Sequence, residues 1–371
     1  MTNPAPQPTP PARPESGASS SPVAAPAQSS PASKPPALPG PGPAWFGSVM
    51  GTGILTTLLA THGIHTLATV MLVIAWTLLI TLTVGYLINV MRGRAVFRPT
   101  FHQPEQAPAW GMVAMGILAT GSATATVAGD GATWAWRVDG TTWVIGTVIG
   151  IFSATSFMSL LIRRDCGTPR LTWGLPVVAP MVSATVGAGW AKHISDPTWS
   201  FTLTVVALCC FVMALPLALT IFATAYHRAW FHDPIPAGAT ISTFIPLGIV
   251  GQSTAAAQTI ALAIYPWLTP DINAVPEKLA TGYGWLMMIA GIPLLLWAMY
   301  QSYRYVLSGQ AFNPGWFAST FPVGTLSLGS HLMGWDGISL FFLALLAVHW
   351  TVCMVAAIRA LLRQRAPQVV G

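Results

Sequence analysis

The sequence predicts an all-α fold, that of a polytopic membrane protein with ten transmembrane helices. Apolar residues make up 53% of the 371 residues, whereas charged residues make up only 7%. In soluble domains about a quarter of the residues are charged, so this composition excludes an ordinary soluble protein. Long apolar runs recur between residues 45 and 362, and each is long enough to cross a bilayer as a helix. Neighbouring runs differ in composition, which indicates a repeated pair of helices.

The first 43 residues differ from the rest of the chain because proline, alanine and serine dominate them. Such a segment cannot bury enough apolar surface to fold, so residues 1–43 are predicted to form a disordered cytoplasmic tail. They lack a basic stretch followed by an apolar stretch, which argues against a secretory signal peptide. Residues 44–365 are predicted to form the transmembrane domain.

Basic residues are distributed unevenly over the loops between the predicted spans. Thirteen of the 16 Lys and Arg residues lie on the side of the N-terminus, and only Arg137, Lys192 and Lys278 lie on the other. Cytoplasmic loops carry such an excess, so both termini are predicted to be cytoplasmic, in a multi-pass protein of the cell membrane. The net charge of +6 comes from these loops and does not indicate a nucleic-acid partner. The predicted spans are 44–61, 66–91, 108–128, 141–162, 172–191, 198–226, 239–266, 283–306, 313–333 and 337–362.

Odd-numbered and even-numbered spans differ in a regular way. Even spans are rich in Leu, Ile, Val and Trp, whereas odd spans are rich in Gly, Ala, Ser, Thr and Pro. Small residues let helices approach closely or line a narrow passage. We therefore expect five helical hairpins in a quasi-fivefold ring, with the odd helices around a central pore and the even helices facing lipid. Small-residue packing without a pore is the alternative. Each odd span opens on an aromatic residue that precedes a glycine or proline by six or seven positions: Phe46 and Gly53, Trp110 and Gly116, Trp173 and Pro180, Phe244 and Gly251, Phe317 and Gly324.

Residues 312–333 form the span around which the predicted pore is organised. The span has no acidic or basic residue except His331, and it contains Pro322, several glycines and five Ser or Thr hydroxyls. Proline bends a helix and frees a backbone carbonyl, which hydrocarbon tolerates only beside neighbouring helices or a wet cavity. We therefore expect this span to line the pore. Phe321, a bulky ring among small residues directly before Pro322, is predicted to plug it.

The predicted spans contain no Asp, Glu or Lys, and their two arginines, Arg304 and Arg359, lie close to span ends, which argues against a relay of buried carboxylates. A passage of this kind offers its cargo Ser and Thr hydroxyls, backbone amides and helix N-termini, which are groups that can serve an anion. The arginine excess would concentrate anions at the cytoplasmic mouth, but topology alone explains it as well. Gln252 and Gln258 need partners inside the membrane, so they are predicted either to join helices or to touch cargo.

Catalysis is not predicted. The chain contains no H-E-x-x-H, P-loop or G-x-G-x-x-G motif, and its four cysteines show no disulfide or zinc pattern. Residues 324–329 and His349 faintly resemble an intramembrane serine protease, but the G-x-S spacing is missing, so Ser327 is interpreted as a wall hydroxyl. Two further classes stay open, a structural scaffold and a redox protein that ligates haem through histidines. The histidines in or near spans are His62, His65, His331 and His349.

Four stretches are similar to the tellurite-resistance/dicarboxylate transporter family, which includes bacterial tellurite-resistance permeases, fungal malate permeases and sulfite efflux pumps, and plant slow anion channels. They are F-G-S-V-M-G-T-G (46–53), P-V-V-A-P-M-V-S-A-T-V-G-A (176–188), G-Q-S-T-A-A-A (251–257) and W-F-A-S-T-F-P-V-G (316–324). The resemblance covers the membrane part but not the tail. It implies ten helices in a quasi-fivefold ring, a homotrimer with one pore in each subunit, and a gate at Phe321.

Together these observations predict a membrane permease or channel for small anions. A C4-dicarboxylate such as malate, or a small oxyanion, is the predicted cargo, and efflux of sulfite or tellurite is the alternative within the same family. Phe321 and Pro322 are predicted to form the gate. No metal or other cofactor is predicted, and the expected partners are the anion, the lipid bilayer and two further copies of the chain. The residues predicted to line the pore are Gly51, Gly53, Gly116, Pro180, Gly251, Gln252 and Gly324.

Overall fold

The computed structural model describes residues 38–94 and 97–365, and within these ranges the chain forms helices and no strands. The predicted all-α class is therefore confirmed. Most of the predicted tail, residues 1–37, lies outside the described residues. The eleven α-helices are α1 (Phe46–Thr61), α2 (His65–Met91), α3 (Phe97–His102), α4 (Ala109–Ala128), α5 (Thr133–Arg163), α6 (Gly174–Ala191), α7 (Pro197–Phe231), α8 (Ile245–Ile264), α9 (Ala274–Leu307), α10 (Thr320–Leu332) and α11 (Asp336–Arg365).

Nine helical segments of the described chain are long and apolar enough to cross a membrane. They correspond to nine of the ten predicted spans. The tenth, α10, has only 13 residues and follows a 3-10 turn at Pro314–Ser319. Serine, threonine and glycine make this segment less apolar than the others, so it does not qualify by composition. The protein is thus a multi-pass membrane protein with about nine or ten membrane-capable helices.

The helices separate into a buried set and an exposed set. Four odd segments bury between 72% and 89% of their most apolar stretch, whereas the even segments bury between 22% and 39%. In α10, all but a few residues are buried as well. The small residues of the odd helices therefore pack against protein, and the large apolar residues of the even helices remain on the outside, as expected for a surface in contact with lipid.

Each buried helix packs against one exposed helix that follows it along the chain. The five pairs are α1 with α2, α4 with α5, α6 with α7, α8 with α9, and α10 with α11. The buried helices also contact each other in the order α1, α4, α6, α8, α10, and α10 contacts α1 again. In the paragraphs below these five are called the inner helices, and their partners α2, α5, α7, α9 and α11 are called the outer helices.

Aromatic side chains of the outer helices donate hydrogen bonds to the inner helices. A buried indole N–H or tyrosine O–H needs an acceptor, and the hydroxyl and backbone oxygens of the polar inner helices supply it. These bonds fix the outer helices on the inner set. They join Trp350 Nε1 to Thr52 Oγ1 (2.9 Å), Trp76 Nε1 to Thr124 Oγ1 (3.0 Å), Trp143 Nε1 to the Ser183 carbonyl (2.9 Å) and Tyr283 Oη to Ser253 Oγ (2.8 Å).

Several boundaries differ from the sequence prediction; helix α9, for example, begins at Ala274 rather than at residue 283. Helix α3 occupies part of a segment predicted to be a loop. Helix α5 begins at Thr133 rather than at residue 141, so Arg137 and Asp139 lie within it. The statement that no acidic residue falls inside a span is therefore wrong. The apolar run starts only after Asp139, but the helix extends beyond the run because hydrogen bonding, and not hydropathy, sets its first turn.

Pro322 does not break a continuous helix. The irregularity lies at the junction between the 3-10 turn and α10, and Pro322 occupies the first turn of α10. A proline there removes an N–H that has no partner within the helix, so it is well tolerated. The Thr325 hydroxyl donates a 2.7 Å hydrogen bond to the Pro322 carbonyl, and the Thr320 hydroxyl donates one of 2.7 Å to the Phe317 carbonyl. These hydroxyls therefore stabilise the local backbone.

Candidate functional site

A cavity of about 570 Å³ lies between the inner helices, towards their C-terminal ends. Every inner helix contributes to the cavity wall, and the outer helix α5 contributes to it as well. Its wall is polar near the helix ends and apolar further in. Thr57, Ser122 and Thr185 carry hydroxyls on three different helices at intermediate depth. Such a wall provides hydrogen-bonding groups that can replace part of the hydration shell of an ion.

The cavity is lined in layers. Each inner helix contributes two residues that are seven positions apart, which is two helical turns or about 10.5 Å along the axis. The shallower layer is mostly polar or small, whereas the deeper layer is apolar except for one glutamine. The shallower residues are Thr61, Thr126, Gly189, Thr259 and Leu328, and the deeper residues are Ile54, Ala119, Val182, Gln252 and Phe321.

Phe321 has the largest side chain of the deeper layer. It lies in the first turn of α10, is 2% exposed, and belongs to the central hydrophobic cluster together with Val182 and Ile54. The 3-10 junction before it places the ring on the face of α10 that points to the cavity. A buried ring at the narrow end of a polar cavity is a barrier for ions, because their charge would lose its water there.

Gln252 is the polar exception in the deeper layer. Its amide nitrogen donates a 2.7 Å hydrogen bond to Thr185 Oγ1, which joins α8 to α6. Its Oε1 has no hydrogen-bond partner among the described residues, although the side chain is 2% exposed. Gln258, by contrast, donates to the sulfur of Met333 at 2.9 Å and is not part of the cavity wall. Gln258 thus joins helices, whereas Gln252 both joins helices and faces the cavity.

The glycines predicted to line the pore lie where inner helices touch. A Cβ on any of them would press against a neighbouring inner helix, so they allow the close approach that defines the cavity wall. None of these five is among the residues that line the cavity, and their role as pore-lining residues stays a prediction. The contacts are Gly51 with Thr320, Gly53 with Ala119, Gly116 with Val49, Gly251 with the backbone of Thr325, and Gly324 with Ile54.

Pro180 and the hydroxyls near Phe321 also lie outside the cavity wall. Pro180 is buried inside α6. The Ser327 hydroxyl, interpreted above as a wall hydroxyl, instead donates a 2.8 Å hydrogen bond to the Ser339 carbonyl and so joins α10 to α11. Only Phe321 and Gln252, of the predicted gate and lining residues, belong to the residues that line the cavity.

Histidines surround the wide end of the cavity. His193 stacks on Trp136 with ring centroids 3.5 Å apart, and burial lowers its pKa although Asp130 opposes this shift. His62 and His331 meet edge to face with centroids 5.4 Å apart. Burial, and then the charge of His331, lower the pKa of His62. The rings of His193 and His62 are therefore mostly neutral near neutral pH and gain charge on acidification.

The histidines considered as haem ligands have other partners. Direct contact between the rings of His62 and His331 leaves no space for a haem plane between them. His349 lies elsewhere, where Nδ1 donates to the Ser319 carbonyl (3.2 Å) and Nε2 contacts the Tyr303 hydroxyl (2.8 Å). It thus ties α11 and α9 to the 3-10 junction before Phe321. Among the described residues, no group of three or more His, Cys, Asp or Glu is arranged to hold a metal ion.

Asp139 is a cavity residue that the sequence analysis missed. It lies in α5, is 2% exposed, and its Oδ1 has no hydrogen-bond partner in the part of the chain that the structure describes. Trp136, one helical turn earlier, also lines the cavity with an unpartnered indole N–H. The sequence signal was the carboxylate two residues before the predicted start of the span. A helix extended by one or two turns would have included it.

The chain is similar over most of its length to known membrane proteins. A model of the family described as "SLAC1: Voltage-dependent anion channel" matches residues 42–361. The sulfite efflux pump SSU1 of Arthroderma otae is 28% identical over 342 residues, which cover 83% of this chain and 87% of the relative. The sulfite efflux pump SSU1 of Arthroderma benhamiae is 25% identical over 324 residues, covering 81% and 83%. That of Candida albicans is 23% identical over 335 residues, covering 80% and 66%.

Proposed function

The chain belongs to the SLAC1 voltage-dependent anion channel family, and from this premise we propose that it carries small anions through a conduit between its inner helices, closed by Phe321. The conduit follows the quasi-fivefold ring axis, with the 570 Å³ cavity as its wide part. Pro322 sets the start of α10 so that the Phe321 ring faces the lumen. Movement of this ring away from the deeper layer opens the path.

The observation that supports this proposal most is the change of wall chemistry along the cavity. Hydroxyls of three helices precede a layer in which Ile54, Val182 and Phe321 are apolar and Gln252 is the polar member. An ion loses part of its hydration among hydroxyls but cannot replace it in an apolar layer. Hydrophobic constrictions of this kind close channels by excluding water.

The orientation follows from the basic loops. Most Lys and Arg residues precede the inner helices or follow the outer ones, which supports a cytoplasmic location of both termini in a cell whose plasma membrane holds the protein. The cavity, at the C-terminal ends of the inner helices, then opens to the outside. Anions leaving the cell would pass Phe321 first and the hydroxyl-lined cavity afterwards.

The cargo that we propose first is a small oxyanion such as sulfite. The relatives named above are sulfite efflux pumps, and hydrogensulfite, the singly protonated form of sulfite, carries one charge and therefore loses less hydration energy in an apolar layer than a dianion does. A C4-dicarboxylate such as malate carries two charges and is the second candidate. Tellurite belongs to the same class of small oxyanions as sulfite.

Flux assays in proteoliposomes test the function. Purified wild-type protein is reconstituted, and uptake of sulfite, chloride and malate is measured separately under a set membrane potential, with protein-free liposomes as the control. We expect uptake of sulfite and chloride above the control, and less uptake of malate. Malate uptake faster than that of both small anions would reverse the cargo assignment, and no uptake of any anion by folded protein would contradict the function.

A homotrimer, with one conduit in each subunit, is part of the same proposal and rests on the family. Native mass spectrometry of the protein in detergent tests it. A mass of about three chains of 39.2 kDa is expected. A monomer at all detergent concentrations that keep the protein active would contradict the assembly but not the conduit, because each subunit has its own.

A further inference from the structure

Asp139 is a buried acidic group that the proposed conduit does not yet use. Its side chain lines the cavity, is 2% exposed, and has an oxygen without a hydrogen-bond partner. The ion pairs among the described residues join other groups: His193 with Asp130, Arg228 with Asp233, and His331 with Asp336. A carboxylate charge that is buried without a counter-charge is costly.

Among the described residues, no helix packed against α5 forms an ion pair with this carboxyl. Helix α4 has no titratable side chain, and α6 has none before its C-terminal end, where Lys192 and His193 follow. Helix α3 contributes His102 at the far end of α5, beside Arg163. On α5 itself, Arg137 is exposed and faces a different groove. The other charged or titratable groups that line the cavity are Asp130, Lys192, His193 and His331, towards its wide end.

The surroundings of Asp139 hold it in a fixed place. The indole ring of Trp190 packs directly on Gly140, where a Cβ would collide with it. The unpartnered N–H of Trp136 lies one helical turn away on the same face of α5. This N–H is a buried hydrogen-bond donor that has no acceptor among the described residues, and it belongs to a side chain that lines the cavity.

We propose that Asp139 is a proton-binding site of the conduit, and that an anion occupies the cavity when this carboxyl is protonated. This inference rests on the proposed anion transport. In the charged form, the carboxylate repels an anion in the same cavity. A hydronium ion from cavity water gives its proton to the unpartnered oxygen and becomes water. The neutral carboxyl then offers an O–H donor beside the Trp136 N–H, and the two donors face the anion.

The coupling between proton binding and anion binding is reciprocal, because each of them changes the equilibrium constant of the other by the same factor. Acidification increases anion binding, and anion binding increases proton uptake. The size of such couplings is typically about 5-fold to about 150-fold in affinity. The protein would therefore move an anion together with a proton, or open its conduit to anions in acid.

The first test measures anion flux as a function of pH. Chloride is the probe, because it does not titrate between about pH 5 and about pH 8. We expect wild-type flux to rise roughly fivefold or more on acidification. Asp139→Asn, which resembles the protonated form, should give high flux at every pH. Asp271→Asn is the matched control, since Asp271 is exposed and does not line the cavity, and it should keep the wild-type profile.

The outcomes separate the inference from the function on which it rests. If wild type conducts chloride and Asp139→Asn shows the same pH profile, the role of Asp139 is refuted while the conduit stands. If wild type conducts no anion at any pH, the proposed function fails first. Loss of the pH profile in Asp271→Asn but not in Asp139→Asn would show that the profile does not report on Asp139, and it would also refute the inference.

A second measurement does not depend on flux or on folding of the asparagine variant. Infrared difference spectra of the detergent-solubilised wild type, with and without chloride, detect a protonated carboxyl that forms when the anion binds. Asp139→Glu keeps a carboxyl, so the band should persist at a shifted frequency. An unchanged band frequency in Asp139→Glu, or no band in the wild type, would overturn the assignment.

Discussion

The amide of Gln252 in α8 donates a 2.7 Å hydrogen bond to Oγ1 of Thr185 in α6, at the level where the cavity becomes apolar. Gln252 is the polar member of the deeper layer, so it is the group there that can contact a partly dehydrated anion. Gln252→Leu should lower anion flux several-fold and reduce stability by about 1 kcal/mol through the lost bond.

Gln258→Leu is the control for this prediction, because Gln258 lies on the same helix and bonds Met333 outside the cavity wall. It should lower stability to a similar extent but leave the flux unchanged. Flux assays and thermal unfolding on the same preparations separate the two effects. Equal flux in Gln252→Leu and wild type would show that the amide only joins helices.

The close contact of Gly251 with α10 predicts a strong effect on folding. A Cβ at Gly251 would meet the backbone of Thr325 and Leu326, which cannot move aside as a flexible side chain would. Gly251→Ala should destabilise the protein by about 1–3 kcal/mol. Gly282→Ala in α9 has open space around its Cβ and should be neutral or stabilise the helix by roughly 0.5–1 kcal/mol. Thermal unfolding in detergent measures both, and equal unfolding temperatures would refute the contact.

The lowered pKa of His62 predicts how stability changes with pH. Burial and the charge of His331 hold this pKa below its usual value of 6.5, so the unfolded chain binds the proton more readily. The stabilisation is present above the unfolded pKa and is lost as the pH falls. The unfolding temperature of His62→Gln should therefore fall less than that of the wild type when the pH is lowered from about 7.5 to about 5.

The exposed His65 is the control for His62. His65→Gln, at the start of α2, should follow the wild-type dependence on pH, as measured by thermal unfolding. The comparison between variants is needed because other groups titrate in the same range. If the unfolding temperature of His62→Gln changes with pH as that of the wild type does, the His62 ring does not contribute to the pH dependence of stability.

The inner and outer helices were predictable because burial in a membrane protein sorts residues by size and polarity. Gly53 and Gly251 correctly indicated which helices are the inner ones. The sequence did not reveal that these glycines contact neighbouring helices, because glycine serves a helix contact and a pore wall equally well. Asp139 was missed because a hydropathy pattern ends a span at the first charge, while the backbone continues the helix. The cavity wall depends on helix rotation, which only the packed structure defines.

The most direct test of the conduit compares Phe321→Ala with Leu328→Ala. Both residues lie on the same face of α10 and line the cavity, two turns apart, but only Phe321 belongs to the apolar layer. Chloride flux in proteoliposomes should rise by at least ~10-fold in Phe321→Ala, which corresponds to a barrier lowered by about 1.4 kcal/mol. It should stay near the wild-type value in Leu328→Ala. Unchanged flux in folded Phe321→Ala, or an equal rise in both variants, would contradict a gate at Phe321.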